Sequence, residues 1–200
     1  DALGGISLNG AERNIAIGNY SLDAITSGDN NTALGYNALG SNTEGAANTA
    51  FGLNALSTVT TESNLTAIGY AAALNNTSGS GTVALGFSSL LSNNTGDWNT
   101  GIGGYSLRFN TSGARNTGVG YKALEQNTTS EHNTAVGYNA LLNTDRTSDT
   151  DGYNTGLGDG AGSNVTTGNK NTFLGANTSA SAVAGTNQTV VGYGASGQAD

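Results

Sequence analysis

The 200-residue chain contains no cysteine, no proline and no methionine, and only one histidine and one tryptophan. Without cysteine there is neither a disulfide framework nor a thiolate metal site. With no methionine, even at position 1, the chain is expected to be a fragment or a product of processing. Large apolar residues are scarce. Leu, Ile, Val and Phe together make up 36 residues, or 18%, below the level of about 20% at which a chain begins to read as disordered. Folding costs roughly 1–2 kcal/mol per residue in conformational entropy, so one compact core built from so few side chains is excluded. Basic residues are also few. Six Lys and Arg stand against 14 Asp and Glu, a formal charge of −8, which argues against a nucleic-acid partner. No run is long and apolar enough to insert in a membrane, and no signal peptide is visible.

What the chain does have is Gly (32), Asn (27) and Thr (27), and they recur. Asn31–Ala47 reads NTALGYNALGSNTEGAA; Asn48–Asn64 reads NTAFGLNALSTVTTESN. Aligned on the glycine of an A-[ILV]-G motif, the copies fall at Gly18, Gly35, Gly52, Gly69, Gly86, Gly103, Gly120 and Gly137 at intervals of 17. After one interval of 21 they continue at Gly158, Gly175 and Gly192, and Ala2-Leu3-Gly4 supplies a twelfth copy upstream. Counting from the glycine, position −4 is Asn in eight of the eleven later copies and −3 is Thr in nine. Position −1 is always Ile, Leu, Val or Phe, −2 is Ala or Gly in nine, +3 is Ala, Ser or Thr, and +4 is Leu in seven.

A glycine at the centre of each unit, with Thr and β-branched residues around it, disfavours helix by about 1 kcal/mol per copy. Short strands joined by Gly/Asn/Ser/Thr turns fit better. The expectation is an all-β fold, a parallel β-roll or β-solenoid of about twelve coils, mostly of 17 residues and stacked at about 4.8 Å. It forms a single repeat domain over 1–200, with a longer coil carrying an insertion around 142–153. Sixteen of the 20 charged residues fall at +5 to +12, so each coil has a wet arc and a dry arc. In the dry arc −1 and −2 point to opposite faces, and neither carries charge. One face fills the coil's interior and the other is expected to meet a second chain; which is which stays open at this point.

The unit N-T-A-V-G-Y-N-A-L, nearly intact at Asn31–Leu39 and Asn133–Leu141, resembles the head repeats of trimeric autotransporter adhesins. Its 17-residue form more closely resembles repeats in tail-fibre proteins of bacteriophages and other viruses. The resemblance implies a left-handed parallel β-roll assembled side by side as a homotrimer. It implies a non-enzymatic, rigid fibre segment that attaches a virus to its host surface, located on the virion and extracellular. The alternative is the head of a bacterial surface adhesin; a further alternative is an ice- or polysaccharide-binding solenoid. The partners implied are the chain itself and a host cell-surface polysaccharide or protein receptor.

Catalysis finds little support in the residues. There is a single His, no Cys, and no recurring Ser–His–Asp or paired-carboxylate arrangement. No cofactor motif is present. Asp145, Asp149 and Asp151, in the longer interval, offer oxygen ligands before a Gly turn, the chemistry of a calcium loop. The spacing is not that of an EF-hand, and a solvated loop explains it as well. The threonines at −3 form either a hydrogen-bonded ladder or, on the ice-binding reading, a flat hydroxyl array. The most informative column is +12, where five consecutive coils place Trp98, Arg115, His132, Tyr153 and Lys170 in one line. Aromatic and basic groups suit stacking on sugars and pairing with anions. This column is the receptor-binding candidate, against the alternative of a freely drifting loop position.

Overall fold

The computed structural model describes residues 10–145 and 151–198. It contains eleven strands of three residues each, beginning with β1 (Ile15–Ile17) and β2 (Thr32–Leu34). They continue through β6 (Thr100–Ile102), β8 (Thr134–Val136) and β9 (Thr155–Leu157) to β11 (Thr189–Val191). They form one parallel sheet in strict sequence order. The register carries each column onto itself: Ile15, Ala16 and Ile17 pair with Thr32, Ala33 and Leu34. The longer interval is absorbed without a slip, since Thr134, Ala135 and Val136 pair with Thr155, Gly156 and Leu157. The fold is an all-β parallel solenoid, with no helix among the described residues. Ten steps of about 4.8 Å give a sheet about 50 Å long. The twelfth copy, at Ala2–Leu8, lies outside the described residues.

Each strand ends at the motif glycine because the chain there takes φ between 121° and 142°, a conformation that only glycine adopts readily. The glycines also stack: a Cβ on Gly103 would lie 2.6 Å from the carbonyl oxygen of Gly120. The fixed spacing of 17 therefore reflects a backbone requirement repeated at every rung.

The interior is small and only partly apolar. Position −2 faces inward: Ala33, Ala50, Ala67, Ala84 and Ala135 are fully buried. Leu39, Leu56, Leu90, Leu107, Leu124 and Leu141, at +4, pack beneath them. At β10 (Thr172–Leu174) the −2 residue is Phe173, and the matching +4 position is Gly162, where a Cβ would collide with the Phe173 ring. Volume is thus conserved by exchange between columns. The rest of the interior is asparagine. At −4, the Asn116 side chain accepts from Asn133 N (2.9 Å) and donates to the Ser130 carbonyl (2.8 Å). At +7, Asn42 both donates to and accepts from the Gly45 backbone (2.9 and 3.1 Å). Buried amides that would each cost about 1–3 kcal/mol unpaired are paired within their own coil and to the next. Polar ladders and a thin row of Leu and Ala replace the missing hydrophobic core.

The structure fixes the direction that the spacing left open and corrects one expectation, the uniformly wet arc. Of the two charge-free positions, −2 fills the interior and −1 points outward. Ile17, Phe51, Ile68, Leu157, Leu174 and Val191 are about half exposed. The −3 threonines share that outer face; Thr32, Thr49, Thr66, Thr100 and Thr117 are half-buried, and Thr134, Thr155, Thr172 and Thr189 are exposed. The +5 to +12 arc is also not uniformly wet. Glu125, at +5, is buried, with Lys122 Nζ at 3.4 Å and Arg108 Nη1 at 3.9 Å. The two flanking cations offset the cost of burying the carboxylate.

Candidate binding surface

Two surfaces stand out. The first is the predicted +12 column. Its eleven residues, from Arg13 to Asn187, all adopt φ between 48° and 62°. This left-handed turn lets the coil close and enter the next −4 asparagine. The candidate rungs are pinned by their backbone N–H to the preceding coil: Trp98 to the Ser80 carbonyl at 2.8 Å, Arg115 to Asp97 at 2.9 Å, His132 to Ala114 at 3.1 Å, Lys170 to Gly152 at 2.8 Å. Gly and Asn suit this conformation, and Gly81, Asn30, Asn64 and Asn187 occupy it. Trp98, Arg115, His132, Tyr153 and Lys170 occupy it against a penalty of roughly 1–2 kcal/mol per residue.

These five side chains stand on consecutive rungs, as the spacing predicts. Trp98 and Tyr153 are half exposed, Arg115 and Lys170 are exposed, and His132 is partly covered. The Trp98 indole lies over Gly81, where a Cβ would sit 2.5 Å from its Cδ1, and the Arg115 guanidinium covers the ring at 5.0 Å from its centre. The His132 and Tyr153 rings stack 4.7 Å apart at 14°. Between these two stacks, Glu131 reaches Arg115 (3.6 Å). The column is therefore a continuous track of paired rings and cations, with Lys170 on its last rung.

Beside it, the calcium expectation resolves differently. Asp149 lies outside the described residues. Asp145 accepts hydrogen bonds from the backbone and hydroxyl of Thr128. Asp151 turns to His132, whose Nδ1 lies 3.5 Å from Asp151 Oδ1 and 3.9 Å from Glu131 Oε2. Among the described residues, the gathering of metal-ligating groups is thus Glu131, His132 and Asp151, with their ligand atoms within 4.8 Å of one another. The sequence places Glu131 and His132 side by side, but Asp151 joins them only because the 21-residue interval returns it to the same rung.

The second surface is one that the columns at −4 to −1 do not announce. Position +1 carries Tyr36, Leu53, Tyr70, Phe87, Tyr121 and Tyr138; Tyr20 and Tyr105 sit one residue later. Their rings touch from coil to coil: Tyr70 stacks on Phe87 at 5.1 Å and Tyr121 on Tyr138 at 5.5 Å. Tyr105 bridges Phe87 and Tyr121 edge-on. Alternation across the glycine puts +1 on the same outer face as −1. Among the described residues, fourteen of nineteen exposed large hydrophobic residues belong to these two adjacent columns, and a fifteenth, Tyr20, lies beside them. The signal in the sequence is the repeated G-Y, G-L and G-F dipeptide, which reads as turn until the outward direction of −1 is known.

Comparison with family models, with curated proteins and with solved structures returned no match.

Proposed function

We propose that this chain is a rigid segment of an extracellular attachment fibre, assembled side by side as a homotrimer and carrying no chemistry of its own. One observation carries the reading: a contiguous aliphatic and aromatic strip runs along the outer face of the sheet. Its fifteen exposed side chains, of about 150–250 Å² each and roughly half exposed, present on the order of 1,000–2,000 Å². Monomers rarely expose contiguous apolar patches beyond a few hundred Å². A standard protein–protein interface buries about 800 Å² on each partner, so the strip is large enough to supply one chain's share. Its periodicity matches that of a second copy of the same chain, since rung can meet rung at one spacing. The resemblance to trimeric adhesin heads and viral tail fibres favours three copies.

In such an assembly the +12 track, whose side chains are exposed or partly covered, carries recognition. Its rungs repeat at about 4.8 Å, close to one sugar unit. Trp98 and Tyr153 supply ring faces, while Arg115 and Lys170 supply charge for an anionic cell-surface polysaccharide. Three tracks per fibre raise weak single-site binding by 10² or more through avidity. Sedimentation equilibrium tests the assembly. The chain should sediment at about three times its 19.8 kDa, and Ile68→Asp with Tyr70→Asp should yield monomer. A wild-type chain that stays monomeric at micromolar concentration overturns the reading.

A further inference from the structure

We propose that Glu131, His132 and Asp151 form a binding site for a divalent transition-metal ion of the zinc class, clamping two neighbouring coils together. This inference is independent of the attachment reading. Glu131 and His132 close one coil, and Asp151 is its neighbour on the next, joined to Glu131 by an isolated parallel bridge. Like charges directly opposite one another are destabilising, yet here two carboxylates converge. Between them lies His132 Nδ1. It is shut off from solvent and has no hydrogen-bond partner among the described residues. At 3.5 and 3.9 Å from the two carboxylate oxygens, it is too far to hydrogen-bond well. The distances instead approach the edges of a coordination polyhedron, because ligands about 2.0–2.2 Å from a zinc ion lie roughly 3.3 Å apart.

The imidazole decides the class of ion. Nitrogen ligands suit Zn²⁺, Ni²⁺, Cu²⁺ and Fe²⁺, whereas Ca²⁺ and Mg²⁺ take oxygen alone. The ring is already oriented, since Tyr153 stacks on it at 4.7 Å and its backbone is held in the left-handed turn at φ 60°. Tyr153 is thus a positioning residue. The ion's route in is along Asp151, whose side chain is 52% exposed against 24% for Glu131 and 27% for His132. Water completes the coordination on that side. Arg115, the only cation in contact with Glu131 among the described residues, also covers the Trp98 ring, so it shifts against that ring when Glu131 turns to the ion. Metal binding therefore changes the environment of the single tryptophan.

The chain's single His and single Trp make the test specific. The full chain is titrated with Zn²⁺, following the His ring resonances by NMR and Trp fluorescence, with Ca²⁺ and Mg²⁺ as controls. The proposal expects about one Zn²⁺ per chain, a shift of the His132 ring signals and a rise in melting temperature. His132→Asn keeps a residue suited to the left-handed turn, as at Asn30 and Asn64. It should weaken binding by roughly 10²-fold or more, and Glu131→Gln should weaken it as well. Unmoved His ring signals at about 100 µM Zn²⁺ overturn the site. So does Zn²⁺ affinity that survives in a folded His132→Asn chain, or a response to Ca²⁺ and not to Zn²⁺.

Discussion

Replacing Ala135 by Asp and, separately, its neighbour Thr134 by Asp sets the two faces of one strand against each other. Ala135 is fully buried in β8, between Gly118 and Gly156 in the −2 column. That column has no spare room. A Cβ on Gly156 would lie 2.8 Å from Leu141 Cγ, and one on Gly118 would lie 2.5 Å from Ser106 Oγ. The larger side chain costs about 1–3 kcal/mol in overpacking. A buried carboxylate with no partner adds roughly 3–5 kcal/mol. The total reaches about 4–8 kcal/mol, comparable with the whole stability of a typical domain, about 5–15 kcal/mol. Thr134 is exposed on the outer face, so the same charge there costs at most about 1 kcal/mol, the span of strand propensity. Urea denaturation followed by far-UV circular dichroism reads both. Ala135→Asp should fail to fold or lose most of its denaturation midpoint, Ala135→Gly should fold, and Thr134→Asp should shift the midpoint only slightly. Equal damage from the two Asp variants, or greater damage at Thr134, would refute the assignment of −2 to the interior.

Gly103→Ala should cost several kcal/mol, since it combines a φ of 121° with a Cβ 2.6 Å from the Gly120 carbonyl; the denaturation midpoint measures it. Asn116→Ala should cost about 1–3 kcal/mol by orphaning the buried Asn133 N–H, while the Ser130 carbonyl keeps the Asn127 amide, and hydrogen exchange should quicken first at Asn133. The double variant Trp98→Ala with Tyr153→Ala should leave the midpoint nearly unchanged, because Ala47 already occupies the same turn. It should also lose binding on a glycan array of anionic polysaccharides; undiminished binding would move recognition off the +12 track.

The period of 17 was enough to read strand, register and stacking, because a parallel solenoid writes each rung as a copy of the last. The Trp98–Lys170 line was legible for the same reason, since a column in the alignment is a column in space. Direction was not legible. Ala at −2 and Ile, Leu, Val or Phe at −1 are both apolar, and nothing in their spacing says which one turns inward. The small residue goes in because the coil is narrow, with Leu at +4 and the asparagine ladders filling it; the large residue is left outside. That inversion of the usual rule also concealed the tyrosines at +1, whose face is fixed only once −1 is known to point out. The Glu131–His132–Asp151 group was hidden by the one irregular interval, where counting by 17 separates residues that the backbone brings together. Glu125 reads as solvated by its place in the coil, and only the approach of Lys122 and Arg108 explains its burial.

The account stands most directly on whether the outward −1 strip is covered in the assembled protein. The chain has no cysteine, so one introduced thiol reports on one position. Ile102→Cys places it on the strip and Ser112→Cys on the exposed arc of the following turn. Alkylation of the native protein should be roughly 10²-fold slower at Ile102→Cys, because the thiol reacts only when the copies part. Equal rates at the two positions would mean that the strip faces water and that the chains do not pack side by side through it.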